Sequence, residues 1–377
     1  MPGSLLKNLQ GMTTFSPAPL PPKLILPLPL LRQIGVVDNM LGRLDGTAKV
    51  LPDRKILIRS FVRREAQLSS YIENTYARYE EVAAADSGSS RSDIAEPIRE
   101  TLNAERAINA GIEAVFEQGR AVNLQLIREM HGILLDRVRG HESRGKFREI
   151  QVYIGSSRVV EQARFVPAPP HLLDELMEQF SSYLAQTEDL PAIVRLALIH
   201  YQFETIHPFE DGNGRLGRIL ILLGLCQHQM LNVPLLNTSL HFERNRQHYY
   251  DSLLRVSTHG DWLGWISFFV EGLRVAAVES LQKLDELVQL RRVYHQRLQS
   301  ARNSVLLVKL VDQLFIRPVI RISDAAQIMK VTYPSAQKSI QKLIQAKILA
   351  EMKPRAMPTL FIARGILTAV NAVPTSR

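Results

Sequence analysis

His207-Pro208-Phe209-Glu210-Asp211-Gly212-Asn213-Gly214-Arg215-Leu216-Gly217-Arg218, followed at once by Ile219-Leu220-Ile221-Leu222-Leu223, decides the reading of this chain. The run holds a titratable base, a carboxylate, a glycine-rich turn and two arginines, the parts needed to hold a nucleoside triphosphate and attack it. Gly212 and Gly214 relieve the steric limits on a turn, so backbone N–H groups can converge on an anion. A helix is predicted to open near Asn213, and its N-terminus, with unpaired N–H groups and the positive end of the dipole, is a ready phosphate site. Arg215 and Arg218 then occupy neighbouring positions on one helix face.

At 377 residues and 46% hydrophobic composition, the chain is long enough for two or three domains. A single cysteine, Cys226, excludes an internal disulfide framework and a cysteine-cluster zinc site, and its apolar surroundings make it a core residue. No stretch reaches the length of a membrane span, and the proline-broken Leu24–Leu31 lacks the organisation of a secretory signal, so a cytoplasmic protein without membrane contact is expected. The net charge of +9 is uneven: Arg291 to Arg364 holds 14 Lys/Arg against 3 Asp/Glu, a net of +11, which leaves −2 for the rest. Basic character belongs to the C-terminal segment.

Outward from the motif, Ala192 to Thr205 is apolar on nearly every side and should be the central buried helix. Helices are also expected over Phe61–Val82, Ile94–Gln118, Leu124–Leu135, His171–Leu184, His241–Leu254 and Trp262–Leu290. Residues 1 to about 35 are rich in Pro and Leu and read as extended chain on a neighbour's surface; Ala83–Ser92 reads as a linker. Val152-Tyr153-Ile154, Gly155-Ser156-Ser157 and Val159-Val160 suggest a hairpin closed by the prolines at 167, 169 and 170. At the C-terminus, a helix from Ser323 to Met329, a turn and a helix from Pro334 to about Lys347 precede two short strands around Lys353-Pro354-Arg355, the order of a winged helix-turn-helix. The fold class is mainly α. Expected boundaries are 1–92 for an N-terminal region, 93–272 for a catalytic core, 273–303 for a linker helix and 304–377 for the winged helix.

The opening run resembles the signature of the Fic family, His-x-Phe-x-(Asp/Glu)-Gly-Asn-Gly-Arg-x-x-Arg, at every specified position, and the resemblance extends over roughly Ile94 to Val270. It implies a helical core with a β-hairpin flap and transfer of AMP from ATP to a protein hydroxyl with loss of pyrophosphate. By that resemblance His207 takes the proton from the target Tyr, Ser or Thr, an imidazole near its ordinary pKa of about 6.5 being neutral enough to do so. Asp211 holds Mg²⁺; Gly212, Asn213 and Gly214 cradle the phosphates; Arg215 and Arg218 fix the β- and γ-phosphates. Phe209 anchors the loop, and Glu210 has no role.

Ser69-Ser70-Tyr71-Ile72-Glu73-Asn74 resembles the inhibitory motif (Ser/Thr)-x-x-x-Glu-(Gly/Asn) of regulated Fic proteins whose inhibitory helix is N-terminal. It implies that Glu73, with Ser69 and Asn74 completing the motif, pairs with Arg218 and denies it to the γ-phosphate. Residues 152–166 resemble the family's flap, which docks the target by strand addition. Asn245-Arg246-Gln247-His248-Tyr249-Tyr250 resembles the segment beside the nucleotide base, making Asn245, Tyr249 and Tyr250 adenine candidates, though a tyrosine pair also suits core packing. His200, in the apolar helix, is a core histidine rather than a metal ligand, since no third ligand stands at useful spacing.

Two other functions stay open on the sequence. The basic C-terminal unit, with Lys338, Lys342 and Arg355, suits a DNA-binding regulator using the catalytic core as sensor or dimerisation body, or a protein-docking module. Glu73 equally suits removal of AMP by positioning water. A homodimer is compatible with either.

Overall fold

The computed structural model describes residues 2–8, 11–49, 55–88, 94–155, 162–186, 189–299, 305–352 and 359–371. The chain opens with a hairpin, β1 (Gly3–Lys7) and β2 (Thr13–Pro17), antiparallel with Leu5 opposite Phe15. Helix α1 (Leu28–Lys49) follows, with Pro29 in the first turn, where no intrahelical donor is required. The extended N-terminus expected over 1 to 35 is therefore a hairpin followed by a helix. Leu30, Ile34, Val37, Leu41 and Leu44, at spacings of four and three, form the buried stripe of α1, which packs on α11 (Trp262–Gln299).

Helix α2 (Lys55–Ile72) and α3 (Tyr79–Gly88) replace the single helix expected over 61–82, and α3 continues into the expected linker at 83–92. The break has a local cause. Asn74 adopts φ 61, and the N–H groups of Glu73, Asn74 and Thr75 turn back to the carbonyls of Ser70, Tyr71 and Ser70. This αL closure ends α2 and leaves Glu73 at its tip. Helix α4 (Glu96–Ile112) packs on α2 through a buried charge cluster, Arg63 donating to Glu105 at 2.6 Å and to Asp86 of α3 at 2.9 Å.

The centre is α7 (Ala192–Ile206) against α8 (Asn213–Gln227), both buried along nearly their whole length. Around them lie α5 (Leu124–Leu134), α6 (Leu173–Ala185), α9 (Ser239–Arg244) and α10 (Arg246–His259). The helix expected over 241–254 is broken at Asn245, which departs from helical geometry at φ −115, ψ 36. Helix α11 runs unbroken across the expected boundary at 272, so no chain break separates core from linker there.

The C-terminal unit comprises α12 (Val305–Ile316), β3 (Val319–Ile320), α13 (Ile322–Met329), α14 (Tyr333–Gln345), β4 (Ala350–Glu351), β5 (Phe361–Ile362) and α15 (Arg364–Asn371), with strand order β3-β5-β4. Lys353, Pro354 and Arg355 lie outside the described residues. The unit shares one hydrophobic core with the rest: α12 packs on α2, and α15 on α11. The Ser60 hydroxyl of α2 donates to the Phe315 carbonyl, and Ser87 to that of Val319. No described helix is long and apolar enough to cross a membrane.

Candidate active site

The loop between α7 and α8 is held by its own side chains. His207 ends α7 in the left-handed region, at φ 51, ψ 63, a conformation that costs a non-glycine residue about 1 kcal/mol and needs its surroundings to hold it. Gly212, at φ 82, opens α8. Phe209 is fully buried. The Asn213 amide is spent within the loop: its Oδ1 accepts the Phe209 N–H at 2.9 Å and its Nδ2 donates to the Phe209 carbonyl at 2.8 Å. Asn213 thus ties the turn with its side-chain amide.

His207 sits with Nδ1 3.2 Å from the Glu204 carbonyl, so a proton on Nδ1 leaves Nε2 bare. Burial, with the nearby Arg148 guanidinium, pushes its pKa down to about 4, well below the ordinary value expected from sequence. The imidazole is neutral across the physiological range and a correspondingly weaker base.

Two residues that the sequence reading passed over fix this loop. Arg148 is 2% exposed and meets only carbonyls: Nε donates to His207 at 2.8 Å, Nη1 to Ile150 at 3.1 Å and Nη2 to Ala168 at 2.7 Å. Burial lowers its pKa to about 10. It fastens the loop after α7 to the segments at 150 and 168. His131 of α5 stacks on Phe209 with centroids 3.7 Å apart. Its Nδ1 accepts the Gly145 N–H, so its Nε2–H donates to the Asp211 carbonyl at 2.9 Å. Neither stands in a local motif, since the loop groups they hold, the His207 and Asp211 carbonyls, are distant in sequence.

Asp211 is a quarter exposed. Its Oδ1 accepts the Gly212 N–H at 2.6 Å and the Arg215 Nη2 at 3.4 Å, and its Oδ2 accepts from Arg139, itself 78% exposed. Arg215 directs Nη1 to Glu100 of α4 at 2.7 Å, and Glu100 also accepts the Thr75 hydroxyl. Arg215 therefore already has two carboxylate partners, with its buried Nε unpaired among the described residues.

Arg218, 1% exposed, is the centre of the site. Nε donates to the Ser69 hydroxyl at 2.9 Å, and Nη2 donates to the Ser69 carbonyl at 3.0 Å and to Glu73 Oε1 at 2.7 Å. Burial alone would lower its pKa; the Glu73 carboxylate, with Glu204 and the two tyrosines beyond, raises it instead. Nη1 is buried with no acceptor among the described residues. Gly214 makes the approach feasible, because a Cβ there would fall 2.2 Å from Glu73 Oε1 and 3.0 Å from Nη1. The Glu73 carboxylate thus lies over the first turn of α8, where the sequence places a phosphate. Asn74 completes the tip by accepting from Arg246 Nη1 at 2.6 Å. Behind Arg218, burial pushes the Glu204 carboxyl up to about 8, and Gly217 leaves room for it: a Cβ would lie 2.5 Å from Glu204 Oε1.

The base-pocket candidates divide. Tyr249 is 1% exposed, stacks on Phe242 and bonds through its hydroxyl to His200 Nε2 at 2.8 Å, so it is core and the expected adenine contact is corrected. His200 is a satisfied core histidine, its Nδ1 lying 3.1 Å from the Gly217 carbonyl. Asn245 donates to the His241 carbonyl at 3.0 Å and braces the α9–α10 break, an unexpected structural task. Tyr250, like Asn245, stays partly exposed, and its hydroxyl donates to the Ile72 carbonyl at 3.4 Å beside the Glu73 turn.

In the flap, Ile154 pairs with Phe165 by two backbone bonds of 2.9 and 3.1 Å. The expected return strand at Val159-Val160 lies outside the described residues, as do all of 156–161. The N-terminal hairpin extends it: the Phe15 N–H donates to the Val166 carbonyl at 2.9 Å, Phe15 bridges Pro167 in parallel, and its ring lies 5.8 Å from that of Phe165. Among the described residues no group of three His, Cys, Asp or Glu side chains could hold a metal by itself.

Residues 121–225 match the Fic/DOC family, and residues 31–113 match the Fic/DOC family N-terminal region. A probable protein adenylyltransferase of Aquifex aeolicus is 35% identical over 101 residues, 27% of this chain and 29% of that protein. The protein adenylyltransferase Fic of Drosophila grimshawi is 32% identical over 164 residues, 42% of this chain and 30% of that protein. The chain spans less than a third of the length of these relatives. A solved Fic family protein from Desulfovibrio desulfuricans superposes with a TM-score of 0.60 at 19% identity, covering 91% of this chain and 98% of that one. Fic-1 of C. elegans gives 0.53 at 17% identity over 67% of this chain and 72% of that one. At such identities the likeness is one of fold.

Proposed function

We propose that this chain, a Fic/DOC-domain protein, is a protein adenylyltransferase held in check by Glu73. The observation that carries the reading is the Glu73 carboxylate on Arg218, over Gly214 at the opening of α8. A carboxylate occupies an anion slot there, and the buried Arg218 Nη1 donor beside it awaits an acceptor. A triphosphate supplies that acceptor once Glu73 withdraws.

In the reaction, His207 Nε2 removes the proton from a target hydroxyl, whose oxygen attacks the α-phosphorus of ATP. The bond from that phosphorus to the bridging oxygen of the β-phosphate breaks, and pyrophosphate leaves with its charge offset by Arg218 and the α8 N-terminus. His207 is already neutral, Arg148 and its αL backbone fix its direction, and Arg215 braced by Glu100 holds the turn. Asp211 suits Mg²⁺, which is commonly bound by one carboxylate together with substrate phosphates, and its exposed partner Arg139 is free to swing aside. When bound, the cation neutralises phosphate charge.

Glu73 at the site also favours a second reading, in which it positions water to remove AMP from a modified hydroxyl. Incubating the wild type with ATP and Mg²⁺, then with an AMP-modified sample of itself, separates the two: transfer gives a protein one AMP heavier with one pyrophosphate released, and removal gives free AMP. Nucleotide turnover without any protein-bound AMP in a Glu73→Gly variant would refute the transferase reading.

A further inference from the structure

The C-terminal unit carries a surface that the AMP-transfer chemistry does not use. Helix α13 and helix α14 are joined by a three-residue turn, Lys330–Thr332, that opens with Lys330 in the left-handed region at φ 55. Helix α14 buries one face only, through Ala336, Ile340 and Leu343. Its opposite face is exposed and reads Pro334, Ser335, Gln337, Lys338, Gln341, Lys342 and Gln345. That face offers hydroxyl, amide and ammonium groups, and the whole helix contains no carboxylate.

Ordinary solvated helices of this chain are different. The exposed positions of α6, for example, include Asp174, Glu175 and Glu178. The C-terminal unit holds only three acids, Asp312, Asp324 and Glu351, and two of them are visibly paired: Asp312 accepts from Arg291 at 2.7 and 2.9 Å and from His295 at 2.8 Å, and Asp324 accepts from Arg321. Basic side chains outnumber acids on this surface: the exposed Lys338 and Lys342 lie on the α14 face, with exposed Lys330 before the helix and exposed Lys347 after it. Tyr333, 55% exposed, adds an aromatic ring at the N-terminal end.

We propose that this helix-turn-helix is a duplex DNA-binding site, with α14 entering the major groove and its lysines meeting phosphates. Glutamine and serine at one-turn spacing between paired lysines provide the donors and acceptors that read base edges, while the lysines set affinity and register. The three-stranded sheet β3-β5-β4 packs on α3 through β3, which joins the unit to the N-terminal helices.

The test is fluorescence anisotropy of the full chain with a labelled random-sequence duplex of about two helical turns, without nucleotide. Binding is expected at micromolar protein in low salt, with a slope of log K against log salt of about −3 to −4 for four phosphate contacts. Lys338→Ala with Lys342→Ala should lower affinity by about tenfold or more and flatten the slope by about two. Both side chains are exposed, so the melting temperature should not change. Absence of binding up to tens of micromolar, binding unchanged in the double variant, or equal affinity for a single strand would each overturn the proposal, as would capture of an acidic peptide in preference to the duplex. Because no ATP is used, failure here leaves the AMP-transfer reading untouched, and failure of labelling leaves this one standing.

Discussion

Replacing Glu73 by glycine should convert a restrained enzyme into an active one, and the structure sets the scale. The contact to be lost is a single 2.7 Å ion pair whose arginine is 1% exposed and whose carboxylate is 33% exposed. Breaking a pair with one buried partner costs on the order of 2–4 kcal/mol, and the partial exposure of Glu73 argues for the lower end. At about 2 kcal/mol the open form of the wild type is suppressed about 30-fold, so the variant should self-label about 30-fold faster at saturating ATP and Mg²⁺. Arg218 keeps its pose in the variant because Ser69 still accepts from Nε and Nη2. Glu73→Gln retains the shape without the charge and should fall between the two. Initial rates of incorporation from α-labelled ATP measure the series. Equal rates in wild type and Glu73→Gly would refute the reasoning, as would a glutamine variant more active than the glycine one. A modest loss of stability, a few degrees in Tm, should accompany the gain, since a buried guanidinium loses its counter-charge.

Three other perturbations follow from the same geometry. Gly214→Ala puts a methyl group where the Glu73 carboxylate lies, so it should expel Glu73 yet also block phosphate; in a Glu73→Gly background it should abolish ATP binding by calorimetry, and retained affinity would move the phosphate elsewhere. Burial pushes the pKa values of His131 and His207 down to about 4 and that of His200 to about 3, so below about pH 6.5 the unfolded chain binds protons that the folded one refuses. Stability should then fall with falling pH by about 1.4 kcal/mol per unit per histidine down to about pH 4. Glu204, pushed up to about 8, acts in the opposite sense between about 4.5 and 8, because there the folded chain keeps a proton that the unfolded one has lost. The three histidines outweigh it below 6.5, and urea titrations giving the same stability at pH 7 and pH 5 would contradict this balance. Phe15→Ala, made in the Glu73→Gly background, loosens the hairpin from the flap. Protein labelling should drop about tenfold with ATP affinity unchanged, the loss of a buried aromatic contact being large enough for that; unaltered labelling would leave the hairpin a purely structural appendage.

The loop between α7 and α8 was legible because its pattern is local: the residues that turn the chain and those that the proposed function gives to the phosphate sit within one short run. Glu73 was legible only through its resemblance to a motif, since its partner Arg218 is remote in sequence, yet the two meet at 2.7 Å. What escaped depends on contacts far apart in the chain. The hairpin at Gly3–Pro17 is too short and irregular in pattern to announce itself, and its third strand is the return of the flap. Helix α1 did carry a clear apolar stripe from Leu30 to Leu44, hidden by the prolines before it. The break after Ile72 has no glycine or proline; it rests on Asn74 tolerating the left-handed region. Tyr249 and Tyr250 show the limit of a local motif: one residue of helical phase turns the first onto His200 and leaves the second beside Glu73.

Helix α2 is no loose lid. Its Glu65 accepts from the backbone and hydroxyl of Ser239 and from Thr238, its Arg63 is buried against Glu105, and Ser60 reaches the C-terminal unit. Release of Arg218 is thus a matter of the Glu73 side chain at the tip rather than departure of the helix.

The position of the transferred label shows whether AMP is the group that moves to protein. Glu73→Gly protein is incubated with Mg²⁺ and ATP carrying the label at either the α- or the γ-phosphate, beside the same protein with His207→Ala. Stable protein labelling is expected from the α-position alone, lost in the His207→Ala variant. Label arriving from the γ-position, or α-label that persists without His207, would contradict that expectation.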